Sequence, residues 1–336
     1  MRRLLIVLVV LVLVAAAGAV GAWAWVENAG TGPLIKEDLV FEVPKGASGP
    51  KLPKLLHEAH LLDDVMPAQI YLKLHPAFPK FGKHQLTKGM SLTQVTEALA
   101  GTPIPDDVAV TVIEGWRLVD TDTDLASWTP PLAPKGAYIA AASDPKRFKI
   151  PFTFTAPDLE GYLFPETYMV PATGFEPERL IQRQLDSFNA KFAAPYADEI
   201  SKSGHTLHEL VIVASMLERE EPNPQNRPTI AGIIYKRLTR KFPLGIDATS
   251  RYPLVDWNDR GKFLARLRDP NDPYNTRSRL GLPFGPIGSP TLASLLAALR
   301  PTASEWLYYL HDKNHDVHFA KNAEEHEANR KQFDIY

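Results

Sequence analysis

The chain has 336 residues, enough for a membrane anchor and two folded domains, and 45% of them are hydrophobic, so a packed interior is expected. The formal net charge of −2 argues against a nucleic-acid partner held by a basic surface. Cysteine is absent, which excludes disulfides, thiolate nucleophiles and cysteine metal sites.

The N-terminus carries an apolar segment behind two arginines. Residues 4–26 contain no charged side chain. As a helix this run of 23 residues would span about 34 Å, enough to cross the hydrocarbon core of a membrane. Positive charge stays on the cytoplasmic side, so residues 1–3 are predicted to be cytoplasmic and the rest exported. Residues 27–36 are small and polar and are interpreted as a tether. A cleaved signal peptide ending at Ala24 is the alternative.

A first module is expected over residues 37–105. "LVFEVPKGAS" is typical of a strand followed by a turn, and "KLPKLLHEAHLL" has helical spacing. "SLTQVTEALAG" has a helix start signal, in which Ser91 and Gln94 can form a capping box. "DVAVTVIEGW" is interpreted as the returning strand. The pattern predicts a small α+β module.

The second unit, residues 106–336, is predicted to be a larger mixed α+β domain. "LEGYLFPETYMVP" indicates a strand or an extended segment, and residues 176–193 a basic amphipathic helix. Two further helices follow, the second opened by Pro228. A region rich in Pro, Gly, Asn and Asp occupies residues 243–290, and long loops of this kind are uncommon unless functional. A short helix, the strands "WLYYLHD" and "VHFAKN" and a terminal helix complete the unit.

The helix "TLHELVIVASMLE" places a carboxylate on an apolar face. Thr206 can cap this helix, with Glu209 completing a capping box. At 100° per residue, Glu218 falls on the same face as Val211. A buried glutamate must be paired, with Arg219 or Arg237 for example, or lie at a cleft wall, where burial raises its pKa and suits a general acid. Glu220 and Glu221 are expected on the solvated side.

Several sequence blocks resemble one known family. "EGYLFPETY", "VIVASMLEREE", "IAGIIYKRL", "PLGIDATSRY", "DPYNTRSRLGLPFGPIGSP" and "LYYLHDKNHDVHFAKNAEEHEANR" occur in the order found in the endolytic murein transglycosylases, the YceG-like or MltG family. The first module looks like a LysM domain. Two positions depart from the usual blocks: Phe284 and Ala248 each stand where the family usually has proline.

The resemblance implies a single-pass protein of the bacterial inner membrane with a periplasmic catalytic domain. Such enzymes cleave peptidoglycan strands internally, between N-acetylmuramic acid and N-acetylglucosamine, and leave 1,6-anhydromuramic ends, which would terminate growing strands. The family's catalytic glutamate lies in its A-S-x-x-E block, which here gives Glu218. That residue would protonate the leaving oxygen and then accept the proton of the attacking C6 hydroxyl. The resemblance implies no metal or cofactor, and peptidoglycan synthases or division proteins are the partner classes left open.

Other side chains are candidates for substrate contacts. Tyr274, Asn275 and Thr276 match the family's Y-N-T block and can hold sugar hydroxyls or acetamido groups, or else fix a loop by an Asx turn. Two carboxylates, Glu160 and Glu166, are candidates for carbohydrate contacts or ion pairs. Four histidines lie near the C-terminus, but the turn "DKNHD" would make their rings diverge, which argues against a metal site. They are His311, His315, His318 and His326, of which His318 is interpreted as a cleft-wall or structural residue.

Two other functions remain open from the residues. A peptidoglycan-binding or division scaffold would use the anchor and the LysM-like module without catalysis. A hydrolytic muramidase would need a second carboxylate that faces Glu218, and Asp247 is the first candidate. The aromatic pairs Tyr162 with Phe164 and Tyr308 with Tyr309 are more typical of core packing than of sugar platforms.

Overall fold

The computed structural model describes residues 2–335. Met1, part of the expected cytoplasmic N-terminus, and Tyr336, the last residue of the expected catalytic domain, lie outside the described residues. The chain divides into two compact units: residues 2–108 with 171–173, and residues 109–170 with 174–335. The fold mixes helices with three two-stranded sheets.

The first unit begins with the apolar helix α1 (Arg2–Thr31). Over Ile6–Thr31 this helix is long and apolar enough to cross a membrane. It continues five residues beyond the predicted end at Val26, and its last turns are packed. Gly30 lies so close to Tyr71 that a Cβ would clash with atoms of the tyrosine ring, and its carbonyl accepts a hydrogen bond from Thr93 at 2.9 Å. With Ile35 also buried, the segment interpreted as a tether is attached to the module.

The remaining elements of the first unit form a small helix-and-strand module. Val26, Leu52, Leu86 and Leu99 belong to its hydrophobic core. The capping box expected from Ser91 and Gln94 is present. The likeness to a LysM domain stays a prediction. The elements are β1 (Leu39–Val43), α2 (Leu52–Glu58), α3 (Val65–Leu74), β2 (Gly82–Leu86) and α4 (Leu92–Ala100).

The returning strand of this module differs from the sequence prediction. β1 pairs antiparallel with β2, in the register Leu39 with Leu86 and Val43 with Gly82. The segment expected to return, "DVAVTVIEGW", instead forms β3 (Asp107–Thr111), which pairs with β4 (Thr167–Pro171). The sequence of β2, "GKHQL", does not show the alternation of apolar and polar residues that predicts a strand, because its inward-facing residue His84 is polar. That histidine is buried and its ring nitrogens lie near the carbonyls of Lys80 and Ala98, at 2.9 and 3.2 Å.

The second unit is mostly helical and contains the hairpin β5–β6. Its core is formed by helices from several parts of the chain, with the buried aromatic residues Tyr162 and Phe188 on one side. The elements are α5 (Leu118–Ser127), α6 (Ala137–Ala142), α7 (Pro177–Phe188), α8 (Ala197–Lys202), α9 (Leu207–Glu220), α10 (Arg227–Thr239), α11 (Asp247–Arg251), α12 (Arg260–Arg268), α13 (Leu292–Leu299), β5 (Tyr308–His311), β6 (Val317–Ala320) and α14 (Ala323–Gln332).

Helix α9 is the central helix of the second unit. The expected capping box is present, because Thr206 Oγ1 accepts from the N–H of Glu209 at 3.1 Å and Glu209 Oε2 accepts from the N–H of Thr206 at 2.8 Å. Residues 210–217 are all buried. The helix therefore has no solvated side over this stretch, and the argument from a single apolar face was wrong, as expected for a helix surrounded by others.

Candidate active site

A cavity of about 620 Å³ opens where α9 ends in the second unit. Its walls come from the end of α9, from α10, from the loop that joins α10 to α11, and from β5 and α14. Glu220, the last residue of α9, contributes a carboxylate to this wall. The other polar and aromatic lining residues include Asp247, Arg237, Arg277, Arg330, Phe242, Tyr308, Tyr309, His311 and His326.

The surroundings of Glu220 favour a protonated carboxyl. Burial raises its pKa, and the negative charge of Asp247 raises it further. His311, the N–H of Ala248 and the hydroxyl of Tyr309 act in the opposite direction. Among residues 2–335, no Lys, Arg or His forms an ion pair with this carboxylate. A carboxyl whose pKa is raised keeps its proton to a higher pH than an exposed glutamate does, and it can give that proton to a ligand, as a general acid does.

Tyr309 and Asp247 are the polar neighbours of Glu220 in this cavity. The hydroxyl of Tyr309 donates to Glu220 Oε2 at 3.4 Å, and burial raises the pKa of Tyr309 well above its usual value, so the phenol stays neutral. Asp247 accepts from Arg277 Nε at 2.6 Å. The aromatic pair Tyr308 and Tyr309 thus lines the cavity, whereas Tyr162 and Phe164 are buried core residues.

Glu218, the residue that the family resemblance favoured as catalytic, has different surroundings. Its side chain is 6% exposed, and its two oxygens face the guanidinium of Arg227, at 3.0 and 3.2 Å. Oε2 also accepts from the N–H and the hydroxyl of Thr291, at 2.8 and 2.6 Å. Thr291 is the N-cap of α13, so this carboxylate joins α9, α10 and α13. Glu218 is not part of the cavity wall.

Glu221 is fully buried, contrary to the expectation that it lies on the solvated side. Its Oε2 lies 3.1 Å from Nε2 of His311, and its Oε1 accepts from the N–H of Asn223 at 2.8 Å. Glu220 is half-buried in the cavity wall. The same expectation was therefore wrong for both residues, because β5 covers the end of α9.

The block Tyr274–Thr276 organises a loop. Asn275 is 1% exposed, and its amide donates to the carbonyls of Arg266, Leu267 and Asp269, each at 3.0 Å. The hydroxyl of Thr276 accepts from the N–H of Ile246 at 3.0 Å, which fixes the residue before Asp247. These contacts fit the second of the two interpretations, in which Asn275 and Thr276 fix the loop near the cavity, and a sugar contact by either residue stays a prediction.

The ring of Tyr274 is half-buried and does not line the large cavity. It packs against Tyr252, with ring centroids 4.8 Å apart, and against Phe284. Phe284, one of the departures from the family pattern, is exposed. The hydroxyl of Tyr252 donates to Glu160, which is 3% exposed and lines a second cavity.

Glu160 and His318 are separate from the carboxylate of Glu220. Burial raises the pKa of Glu160 to about 8. His318 lies 3.1 Å from Asp312 and stacks on Phe333, outside the cavity lining. Glu166 forms an exposed ion pair with Lys191. Among the sequence-predicted site residues, only Asp247 shares the large cavity with Glu220.

Sequence reasoning missed Glu220, Tyr309 and His311 as site residues. One feature could have indicated Glu220: it is the last residue of α9, and a side chain at the end of a helix can face a cavity. The deciding contacts come from β5, which lies about 90 residues later in the chain.

Comparison with known proteins finds a family that matches most of the chain. A model of the YceG-like family matches residues 41–332. A protein of Bacillus subtilis named endolytic murein transglycosylase is 28% identical over 312 residues, 89% of this chain and 85% of that protein. A protein of the same name from Streptococcus pneumoniae is 33% identical over 178 residues, 51% of this chain but only 31% of that protein.

One solved structure is similar over most of the chain. A yceG-like protein from Listeria monocytogenes aligns with a TM-score of 0.59 and 26% identity. The alignment covers 87% of this chain and 98% of the Listeria chain.

Proposed function

Because this chain belongs to the YceG-like family, we propose that it is a lytic transglycosylase that cleaves the glycan strands of peptidoglycan endolytically. The reaction would break the bond between N-acetylmuramic acid and N-acetylglucosamine and leave a 1,6-anhydromuramic end. The names of its relatives in Bacillus and Streptococcus support this substrate and reaction class. The observation that carries the proposal is the half-buried carboxyl of Glu220 in the wall of a large polar and aromatic cavity.

Glu220 is the residue to which we assign the general acid and base. In the first step its carboxyl gives a proton to the glycosidic oxygen as that bond breaks at the muramic C1. In the second step the carboxylate accepts the proton of the muramic C6 hydroxyl, whose oxygen bonds to C1. No water is added, so one carboxyl is sufficient. A raised pKa favours the protonated form that the first step needs.

The contacts of Glu218 support a structural role instead. Both oxygens of this carboxylate are engaged inside the protein, by an ion pair and a hydrogen bond from Arg227 and by two hydrogen bonds from Thr291, and the residue does not line the cavity. The assignment of catalysis to Glu218 stays a prediction. Experiment can decide between catalysis by Glu218 and catalysis by Glu220, because Glu218→Gln and Glu220→Gln are expected to change activity and stability differently.

Hydrolysis is the second candidate reaction. It is favoured by one observation, the presence of Asp247 in the same cavity as Glu220. In that mechanism Asp247 would activate water or stabilise positive charge at C1. The carboxylate of Asp247 forms an ion pair with Arg277, at 2.6 Å.

The apolar helix supports a location at the inner membrane. Ile6–Thr31 is long enough to anchor the chain, and the arginines before it favour a cytoplasmic N-terminus with both units in the periplasm. The proposal has three further parts. The LysM-like first unit would guide glycan strands, cleavage would stop growing strands, and peptidoglycan synthases or division proteins would bind the enzyme. If the protein does not cleave glycan strands, a non-catalytic scaffold is the function that is left.

Product mass tests the function directly. Purified full-length protein is incubated with glycan strands, and the new ends are identified by mass spectrometry. An anhydromuramic end is one water lighter than the reducing end left by hydrolysis. The proposal predicts anhydro ends from internal cleavage. Reducing ends would establish the hydrolytic reaction, and intact strands would leave only a binding or scaffold role.

A further inference from the structure

A second cavity lies in the same unit as the first, between α5, α6 and the segment that follows α11. Its volume is about 370 Å³. The segment after α11 is partly open to solvent, since Val255 is 93% exposed. Most of the lining is apolar, from Leu118, Val119, Ile139, Pro253, Leu254 and Val255.

Glu160 contributes the buried polar group of this cavity. Its Oε2 accepts from the N–H of Leu118 at 3.2 Å and from the hydroxyl of Tyr252 at 3.0 Å. Among residues 2–335, nothing hydrogen-bonds to its buried Oε1. Burial raises the pKa of Glu160 to about 8, so the carboxyl carries a proton at neutral pH. It is thus a hydrogen-bond donor that has no acceptor within the protein.

The cationic residue of the lining, Arg117, is already engaged elsewhere. Arg117 donates to Asp120 at 2.7 Å and to the carbonyls of Tyr252 and Leu254, at 2.8 and 2.6 Å. Asp158, the other charged residue of the lining, adds negative charge. A carboxylate or phosphate ligand would find no free cation here. A neutral ligand with one acceptor and an apolar group fits the lining better.

Helix α11 connects this cavity with the cavity of Glu220. Asp247, its first residue, lines the large cavity, and Tyr252, which directly follows its last residue, lines the second. Five residues at a rise of 1.5 Å separate the two positions by about 7.5 Å along the helix. At 100° per residue the two positions also lie about 140° apart around the helix, so a chain-like ligand that enters both cavities must pass across α11 from one side to the other.

We propose that the second cavity is a distal binding site for an acetamido sugar of the glycan strand that is cleaved at Glu220. Glu160 donates a hydrogen bond to the acetamido carbonyl, and the methyl group packs against the apolar walls. This inference rests on the proposed function, because a glycan strand is the ligand that would carry acetamido groups at regular spacing past both cavities.

A binding measurement on the full-length protein in detergent tests this site. The probe is the soluble hexamer of N-acetylglucosamine, and its Kd is measured by calorimetry. Val255→Asp places a charge on the apolar wall at an exposed position where the fold is tolerant, and should raise the Kd about tenfold. The matched control is Met169→Asp, at an exposed position outside both cavities, which should leave the Kd unchanged. Equal Kd values for wild type and Val255→Asp would overturn the proposal.

The acetamido group and the donor are tested separately. A glucose hexamer, which lacks the acetamido group, should bind wild type more weakly than the acetylated hexamer, and Val255→Asp should reduce that difference. Glu160→Gln retains a donor, so it should bind as wild type does at pH 7 and keep that affinity at pH 9, where the wild-type carboxyl has ionised. The other titratable groups that face this carboxyl are the same in wild type and Glu160→Gln. They are Arg117, Asp158, Tyr138, Tyr252 and Tyr274. The same loss of binding at pH 9 in both proteins would contradict the role of Glu160.

Turnover distinguishes failure of this site from failure of the proposed function. On long strands Val255→Asp should raise KM about tenfold with kcat retained. Wild-type protein without product would refute the function, while the hexamer Kd still reports on the cavity. Normal turnover with a KM and a Kd insensitive to Val255→Asp would refute this site alone.

Discussion

Glu218 and Glu220 lie two residues apart on α9, yet they are in different chemical surroundings. Glu218 is held by Arg227 and by the N-cap residue of α13, in a buried contact that closes the helix core. Glu220 faces a cavity, and among residues 2–335 it has no cationic partner. Two residues on a helix are separated by about 200°, so neighbours in sequence point to opposite sides. A carboxylate is defined as structural or reactive by its partners and not by its place in a motif.

The largest expected effect comes from removing the cation that holds Glu218. Arg227→Ala leaves a buried carboxylate without its partner, which typically costs about 3–5 kcal/mol of the free energy of unfolding. Urea unfolding of the purified protein, followed by tryptophan fluorescence, measures this loss. Arg240→Ala, at an exposed position just after the same helix, is the control and should change stability by less than about 0.5 kcal/mol. Similar stabilities of the two variants would refute the structural role of the pair.

Glu218→Gln should have a smaller but clear effect on stability. The amide keeps the volume but loses the charge that Arg227 needs, so the expected loss is about 1–3 kcal/mol. Glu220→Gln should leave stability unchanged or raise it, since functional carboxylates are often placed at a cost to stability. The same unfolding experiment compares the two variants. If Glu220→Gln were less stable than Glu218→Gln, the structural role would belong to Glu220 and not to Glu218.

A pH dependence of stability is expected from Glu160. Because its pKa is raised from the usual 4.5 to about 8, the folded state holds a proton that the unfolded state has lost between these values. This contribution to stability is fully present below pH 4.5 and is lost as the pH rises through about 8, with a slope of at most about 1.4 kcal/mol per pH unit. Unfolding wild type and Glu160→Gln at pH 6, 7 and 8 measures it. Identical slopes would show that this carboxyl does not hold its proton.

The smallest effect is expected from Tyr309. Its hydroxyl donates to Glu220, which favours the ionised carboxylate, so Tyr309→Phe should raise the pKa of Glu220. The 3.4 Å distance indicates a weak bond, so the effect is expected to be small. The alkaline limb of the profile of kcat/KM against pH should move upward. Tyr308→Phe is the control, and a shift of equal size in both variants would contradict this role of Tyr309.

Local signals in the sequence predicted much of the second unit. The capping box at Thr206 located the start of α9, and the strand that starts at Tyr308 was expected from its aromatic residues. Glu220 could not be identified in this way, because its cavity depends on β5 folding back over the end of α9. Asn275 was open to two interpretations for the same reason, since only the fold shows that three carbonyls saturate its amide. Pairing of β1 with β2 likewise depends on a long-range contact.

Product formation by two matched variants tests the central claim most directly. Glu218→Gln and Glu220→Gln are incubated with purified glycan strands, and anhydromuramic ends are counted per folded molecule. If Glu220 is the general acid and base, Glu220→Gln should lose about 10²–10⁴-fold of the wild-type rate, whereas the folded fraction of Glu218→Gln should remain active. Near-normal product from Glu220→Gln, together with a collapse in folded Glu218→Gln, would contradict the account and restore Glu218 as the catalytic residue.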